Sequence, residues 1–297
     1  MKNLVIFGVG LIGGSVALAL KKANFVNHIA GVSRHAASLE NAWQMGVINK
    51  ASANIKEACR DADIILIAAP VAQTADILQS IKPHLQAQTV ITDAGSTKVG
   101  VMQCAKDILG EQFGQFVGGH PIAGAEKSGV RAATADLFVD KNVVITPHIE
   151  IVENNQFVAN ANASNIALIT TMWQKCGANV RIMSAIKHDA IFAAVSHLPH
   201  LLAFALVDDV ASRPNAEELF SFAASGFRDF TRIAGSSPEM WRDIAMANKS
   251  ALLSEISAFE SELVQLKQLL ANDNGTGLQA LFERASVARN NWANGKK

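Results

Sequence analysis

The first twenty-two residues read MKNLVIFGVGLIGGSVALALKK, and no other stretch narrows the choice of fold as sharply. Lys2 followed by the uncharged run 4–20, with Ala17-Leu18-Ala19 resembling a small-residue cleavage site, has the outline of a targeting segment. The run is short for a membrane span, and its four glycines weaken a helix interior. Those glycines sit where a strand–turn–helix unit needs them. Residues 4–7 (LVIF) are β-prone, Gly8, Gly10 and Gly13 form GxGxxG, and residues 15–22 are good helix formers. In such a unit the first glycine permits a tight turn, the second lets a pyrophosphate approach the backbone, and the third lets helix and strand pack closely. A Gly-rich packing turn is the plainer alternative. The placement favours dinucleotide binding by Gly8, Gly10, Leu11, Ile12 and Gly13, with the helix N-terminus offering free N–H groups and a positive dipole end.

Composition excludes several classes. Acidic and basic residues balance at 26 each, which gives no electrostatic reason to expect nucleic acid or an anionic membrane as partner. The three cysteines, Cys59, Cys104 and Cys176, lie far apart, without CxxC or metal-ligand spacing, as suits a reduced, cytoplasmic setting. No metal site is expected, and no later stretch reads as a membrane span. The chain has no tyrosine, so oxidoreductases built on a Tyr-Lys proton-transfer couple are not a model for it.

Further strands are expected at 28–33, 62–71, 89–93, 116–119, 142–146 and 179–183, with a helical pattern over 153–175. Strands alternating with helices imply a parallel sheet with right-handed crossovers. From residue 184 onward the pattern is helical: an apolar run over 185–211, a long helix opened by Pro238, and a last helix after Gly275 and Gly277. The expected fold class is therefore α/β, a Rossmann-type dinucleotide-binding domain (1–183) followed by an all-helical domain (184–297). Long amphipathic helices in such a second domain suit burial against a second copy, a homodimer, the plainer alternative being that the domain folds back on itself within one subunit.

In the usual fingerprint a carboxylate at the end of the second strand accepts hydrogen bonds from the ribose. Here that strand ends in Ser33-Arg34-His35, with no acid before Glu40. A hydroxyl followed by a guanidinium suits a 2′-phosphate, so NADP is expected over NAD, with Ser33 and Arg34 as contacts. The plainer reading makes Arg34 a solvated loop residue.

Four more segments fall at strand ends or interrupt apolar helices: DAGSTK (93–98), GGHPIAGAEKSG (118–129), SHLPH (196–200) and GFRDFTRIA (226–234). Together with GVGLIGGS, and with MWRDI after the last, they resemble the prephenate/arogenate dehydrogenase family in the same order over nearly the whole chain. The resemblance implies oxidative decarboxylation of a cyclohexadienol small-molecule substrate, with hydride passing to the nicotinamide, on the route to tyrosine. It implies that His120 is the catalytic base, a role an imidazole suits because its pKa lies near working pH. Ser96 is expected to orient the reacting hydroxyl, or merely to cap a helix. Arg232 is expected to bind a substrate carboxylate, or else to pair with Asp229 three residues earlier. His197 and His200 share a helix face if the helix survives Pro199, and the resemblance makes them substrate-pocket donors. Glu126 and Asp229 are expected to make ionic contacts that gate the pocket. Lys98 and Lys127 suit either phosphate contact or structure. Two rivals stand: a β-hydroxyacid dehydrogenase, for which Lys187 in AIKHDA lacks the right surroundings, and a non-catalytic NADP-binding redox sensor.

Overall fold

The computed structural model describes residues 2–34, 36–125, 127–152, 156–159 and 163–295. Two compact units emerge, residues 1–249 and 250–297.

The first unit begins with β1 (Lys2–Phe7), α1 (Leu11–Lys22), β2 (Val26–Val32), α2 (Ala36–Gln44), β3 (Lys50–Ala51), α3 (Ile55–Cys59), β4 (Ile64–Ile67), α4 (Thr74–Ile81), β5 (Val90–Asp93), α5 (Val99–Leu109) and β6 (Phe116–Pro121). Next come β7 (Asn142–Thr146), β8 (Ile149–Val152), β9 (Gln156–Ala159), α6 (Ala163–Lys175) and β10 (Asn179–Ile182). The main sheet runs β10-β7-β6-β5-β4-β1-β2-β3. Its segment β3-β2-β1-β4-β5-β6 is wholly parallel and has the doubly wound order, with the switch point between β1 and β4.

Strand alternation builds both layers. Leu4, Ile6, Ile64 and Leu66 face one way, onto Val16 and Leu20 of α1 and Ile169 and Trp173 of α6. Val5, Phe7, Ile65 and Ile67 face the other way, onto Ile77, Leu78 and Ile81 of α4 and Val101 and Leu109 of α5. Each such fully buried side chain contributes about 1.5–3 kcal/mol, and a sheet covered on both faces needs apolar residues at every position, as β4 (IILI) has.

Three expectations need correction. The sheet is not parallel throughout: β7 runs antiparallel to β6, and β10 is parallel to β7. Among its described residues the connection from β6 to β7 holds a single 3₁₀ turn, Val130–Ala132, where a parallel return needs a full crossover. Within the stretch 153–175 expected to be helical, Gln156–Ala159 pair antiparallel with β8 as β9, and Ala163–Lys175 form the helix. The long helix opened by Pro238 breaks at Asn248, whose backbone leaves helical geometry (φ −109°, ψ 28°).

The remaining elements are α7 (Ala185–Phe192), α8 (Leu198–Ala211), α9 (Ala216–Ser221), α10 (Ser225–Thr231), α11 (Pro238–Ala247), α12 (Lys249–Ala271) and α13 (Gly275–Asn294). A π-helical turn, Ala193–His197, joins α7 to α8, so the helix runs unbroken from Ala185 to Ala211. Pro199 lacks an N–H and would crowd the preceding turn of a regular helix, and the wider turn before it gives that room. By length and composition alone this run is apolar enough to cross a membrane, but it carries the polar His188, Asp189 and His197, all buried inside the protein. The second unit is a helical hairpin, its bend capped by the Asn274 side chain accepting from Gly277 N at 2.9 Å.

Candidate active site

The glycine turn forms first. Gly8 has φ +93°, and a Cβ there would lie 2.7 Å from the carbonyl oxygen of Ala68, so only glycine lets β1 leave the sheet beside β4. A Cβ on Gly13 would lie 2.3 Å from the Gly8 carbonyl oxygen, which holds α1 tight against the turn. Gly10 is different: a Cβ there would meet nothing within 4 Å. It opens α1 without a side-chain cap, and it borders a cavity of about 580 Å³ with Gly8, Ser33 and Arg34. A bare helix N-terminus on a cavity at the switch point fits the pyrophosphate and adenosine end of a dinucleotide. Leu11 and Ile12 open α1, and the Ile12 side chain packs onto the core, which leaves its backbone rather than its side chain for a ligand. Arg34 meets Asp76 at 3.5 Å in an exposed pair, and Asp76 also borders the cavity.

His120 stands near the C-terminal end of β6, at the same sheet end at which Gly8 leaves β1. A Cβ on Gly119 would lie 2.7 Å from the Asp93 carbonyl oxygen, so β6 can lie this close to β5 only with glycine there. Asp93 then fastens the junction: its Oδ1 accepts from Gly119 N at 3.0 Å, its Oδ2 accepts from Gly95 N at 2.8 Å, and the buried Lys98 ammonium donates to Oδ2. Lys98 is therefore a buried structural cation and does not reach for phosphate. Ser96 is half-buried on the same loop. It does not cap α5. That task falls to Asp189, whose Oδ1 accepts from Lys98 N and whose Oδ2 accepts from Val99 N, both at 2.8 Å.

Asp189 also accepts from Nδ1 of the fully buried His188 at 2.7 Å, and His188 Nε2 lies 2.8 Å from His120 Nδ1. This chain fixes the tautomers. A carboxylate only accepts, so His188 carries its proton on Nδ1 and offers a lone pair at Nε2. His120 must then carry its proton on Nδ1, which leaves His120 Nε2 with a lone pair. Burial, aided by His188, Lys98 and His197, holds His120 well below the usual histidine range. Burial also lowers His188, although the Asp189 hydrogen bond opposes it. Burial alone would raise Asp189, but the bonds from His188, Val99 N and Lys98 N outweigh it and keep its carboxyl low. Phe192 packs on both imidazoles, at 4.9 Å from His120 and 4.5 Å from His188. The result is a neutral imidazole preset to accept a proton.

A second cluster lies on α8 and α11. His200 stacks on Trp241 at 3.6 Å and donates its Nδ1–H to Ser196 O at 2.9 Å, a carbonyl in the π-helical turn. His197 meets the same Trp241 edge-on at 6.1 Å. Burial pushes His197 down to about 4. Burial also lowers His200, the Ser196 carbonyl opposes it, and the nearby Arg232 guanidinium adds to the lowering. Arg232 is thus brought close to His200, at the start of a 3₁₀ turn after α10, while Asp229 is exposed on α10. Glu126 lies outside the described residues. Sequence reasoning missed His188, Asp189, Asn248 and Trp241. The adjacent His-Asp in AIKHDA was the available signal for the first two, and Trp241 stood in the quoted MWRDI.

A Rossmann-ordered sheet, a glycine turn on a cavity at its switch point and a preset imidazole at a neighbouring strand end define an NAD(P)-dependent dehydrogenase. Comparison with known proteins gives the family. Residues 16–182 match the prephenate dehydrogenase nucleotide-binding domain, and residues 184–284 the prephenate dehydrogenase dimerization domain. The cyclohexadienyl dehydrogenase of Zymomonas mobilis is 32% identical, covering 97% of this chain and 95% of that protein. The prephenate dehydrogenase of Bacillus subtilis is 34% identical over 97% of this chain and 76% of its own. The crystal structure of prephenate dehydrogenase from A. aeolicus in complex with hydroxyphenyl propionate and NAD+ superposes with a TM-score of 0.88, at 35% identity over 97% of each chain. The chain belongs to the prephenate dehydrogenase family.

Proposed function

We propose that this enzyme oxidatively decarboxylates prephenate, arogenate or both, passing hydride to NADP in preference to NAD, as a cytoplasmic homodimer. The observation that carries the reading is the lone pair on His120 Nε2, held there by His188 and Asp189. When bound, the nicotinamide ring supplies the hydride acceptor. His120 Nε2 takes the proton of the ring hydroxyl as hydride leaves the same carbon. The bond to the ring carboxylate then breaks, its electron pair completes the aromatic ring as the new carbonyl's π pair moves onto its oxygen, that oxygen takes up a proton to give the phenol, and carbon dioxide departs. Asp189, through His188, stabilises the positive charge that develops on His120. Ser96 orients the hydroxyl. Arg232, with His200 beside it, meets a substrate carboxylate, because a guanidinium binds carboxylate with two parallel hydrogen bonds. His197 donates to the substrate, and Glu126 and Asp229 guard its entry. We assign the coenzyme to residues 1–183 and the substrate and dimer contacts to 184–297.

The NADP preference rests on Ser33 and Arg34 at the cavity. The Asp76 pair does not stand in the way, since exposed ion pairs contribute only about 0–1 kcal/mol. NAD+ in the A. aeolicus complex argues for NAD as an accepted coenzyme.

The test is a spectrophotometric assay of coenzyme reduction with prephenate, arogenate and, for the rival β-hydroxyacid reading, 3-hydroxyisobutyrate. Turnover of one of the first two is expected, and turnover of the third alone would overturn the proposal. His120→Asn should lower kcat by about 10²–10⁴-fold, the usual worth of a general base, with a smaller effect on substrate affinity. Arg232→Gln should chiefly raise KM. Near-normal kinetics in both variants would refute the assigned roles.

A further inference from the structure

His197 is 1% exposed. Its Nδ1 lies 3.1 Å from Asn248 Nδ2, and the same Nδ2 lies 2.8 Å from the main-chain oxygen of Asp189. A main-chain carbonyl can only accept, so the end of the Asn248 amide that faces it is the NH₂. One hydrogen of that group goes to Asp189 and the other to His197. His197 Nδ1 therefore accepts, and the single proton of the neutral ring sits on Nε2. That Nε2–H is buried and has no acceptor among the described residues. A buried donor without a partner is costly to fold around, and the cost is relieved when a ligand oxygen takes the bond. Asn248 sits where α11 breaks, so the break sets its amide between α7 and the His197 ring.

We propose that Asn248 is a positioning residue that locks His197 in its Nε2–H tautomer, so that the ring meets an oxygen of the anionic substrate as a donor. This rests on the dehydrogenase reading above. Asp189 thereby governs two imidazoles of opposite polarity. Its carboxylate, through His188, leaves His120 an acceptor. Its main-chain oxygen, through Asn248, leaves His197 a donor. One ring is thus fitted to receive a proton, and the other to hold an oxygen without exchanging one.

The test is long-range ¹H–¹⁵N spectroscopy of full-length protein labelled with ¹⁵N-histidine, with hydroxyphenyl propionate as the probe ligand. In the unmodified protein His197 should carry its proton on Nε2, and the probe should shift that nitrogen. Finding the proton on Nδ1, or an Nε2 unmoved by saturating probe, overturns the proposal. In Asn248→Leu the Nε2–H tautomer should lose its dominance. Substrate KM should rise about tenfold, the worth of one lost hydrogen bond, with coenzyme KM unchanged. A residue that merely tied α11 to α7 would lower the melting temperature and leave the tautomer alone, and that result also overturns the proposal. Should the variant fail to fold, the spectra of the unmodified protein decide the matter. If neither prephenate nor arogenate is oxidised, the functional reading fails, and the tautomer result still stands or falls independently.

Discussion

Replacing Asp189 by asparagine separates what its charge does from what its shape does. The carboxylate accepts three hydrogen bonds, two at Oδ1 (His188 Nδ1 and Lys98 N) and one at Oδ2 (Val99 N). An amide has one accepting end. With its oxygen at the Oδ1 position, asparagine keeps two bonds and turns its NH₂ toward Val99 N. Reversed, it keeps one bond, gains one to a rearranged His188, and sets a donor against Lys98 N. The two arrangements tie at two bonds and one N–H facing a donor, but only the first keeps both native bonds at Oδ1 and needs no proton shift along His188 and His120, so the tautomers are kept. The stability cost is then one partly buried N–H left without an acceptor, about 1 kcal/mol, plus the lost attraction of a negative charge to the N-terminus of α5, about 0.3–1 kcal/mol. The catalytic cost is the charge-assisted part of the bond supporting His120 during proton uptake. At about 1.5–3 kcal/mol this is roughly a 10- to 150-fold fall in kcat. Denaturant unfolding and initial-rate kinetics at saturating coenzyme measure the two costs separately. A kcat within about threefold of the parent would mean that Asp189 is a helix cap and nothing more. A fall near 10⁴, the cost of a wrongly held tautomer in a hydrolytic triad, would mean that the amide had turned the other way and shifted the protons of His188 and His120 with it.

The pH dependence follows from the same burial. His120 acts neutral and burial holds it well below the usual histidine range, so kcat/KM should be flat through neutrality and fall only on the acid side of that range. A fall centred above pH 6.5 would refute it. Burial pushes His197 down to about 4 when folded, against 6.5 for an ordinary histidine in the unfolded chain, so below 6.5 the unfolded chain binds more protons and stability falls toward pH 4, by roughly 3 kcal/mol in all. Melting temperatures across that range should show the loss, and His197→Asn should blunt it. Arg34→Ala should raise the KM for NADP about tenfold or more while barely changing that for NAD, given the usual strength of a guanidinium–phosphate bond, and equal effects on both would remove Arg34 from coenzyme choice.

Local chemistry carried much of this protein in plain view. The glycine turn, the buried strands and the helical character beyond residue 184 are written in nearest-neighbour patterns, because turn sterics and side-chain alternation act over a few residues. The motif around His120 was legible for the same reason. Strand direction was not. β7 turned antiparallel because the described residues of the link before it form no crossover helix, and the pairing of β8 with β9 took over residues whose apolar spacing also suits a helix. The long helix from Pro238 looked continuous, since nothing local announces that Asn248 exchanges a regular turn for bonds to Asp189 and His197.

The amino-acid order by itself determined which residue types stood at the strand ends, and so the kind of chemistry available. Only the tertiary structure decided which nitrogen of each histidine holds its proton. That depends on what lies within about 3 Å of the other nitrogen, and those neighbours, His188 for His120 and Asn248 for His197, come from 68 and 51 residues away along the chain.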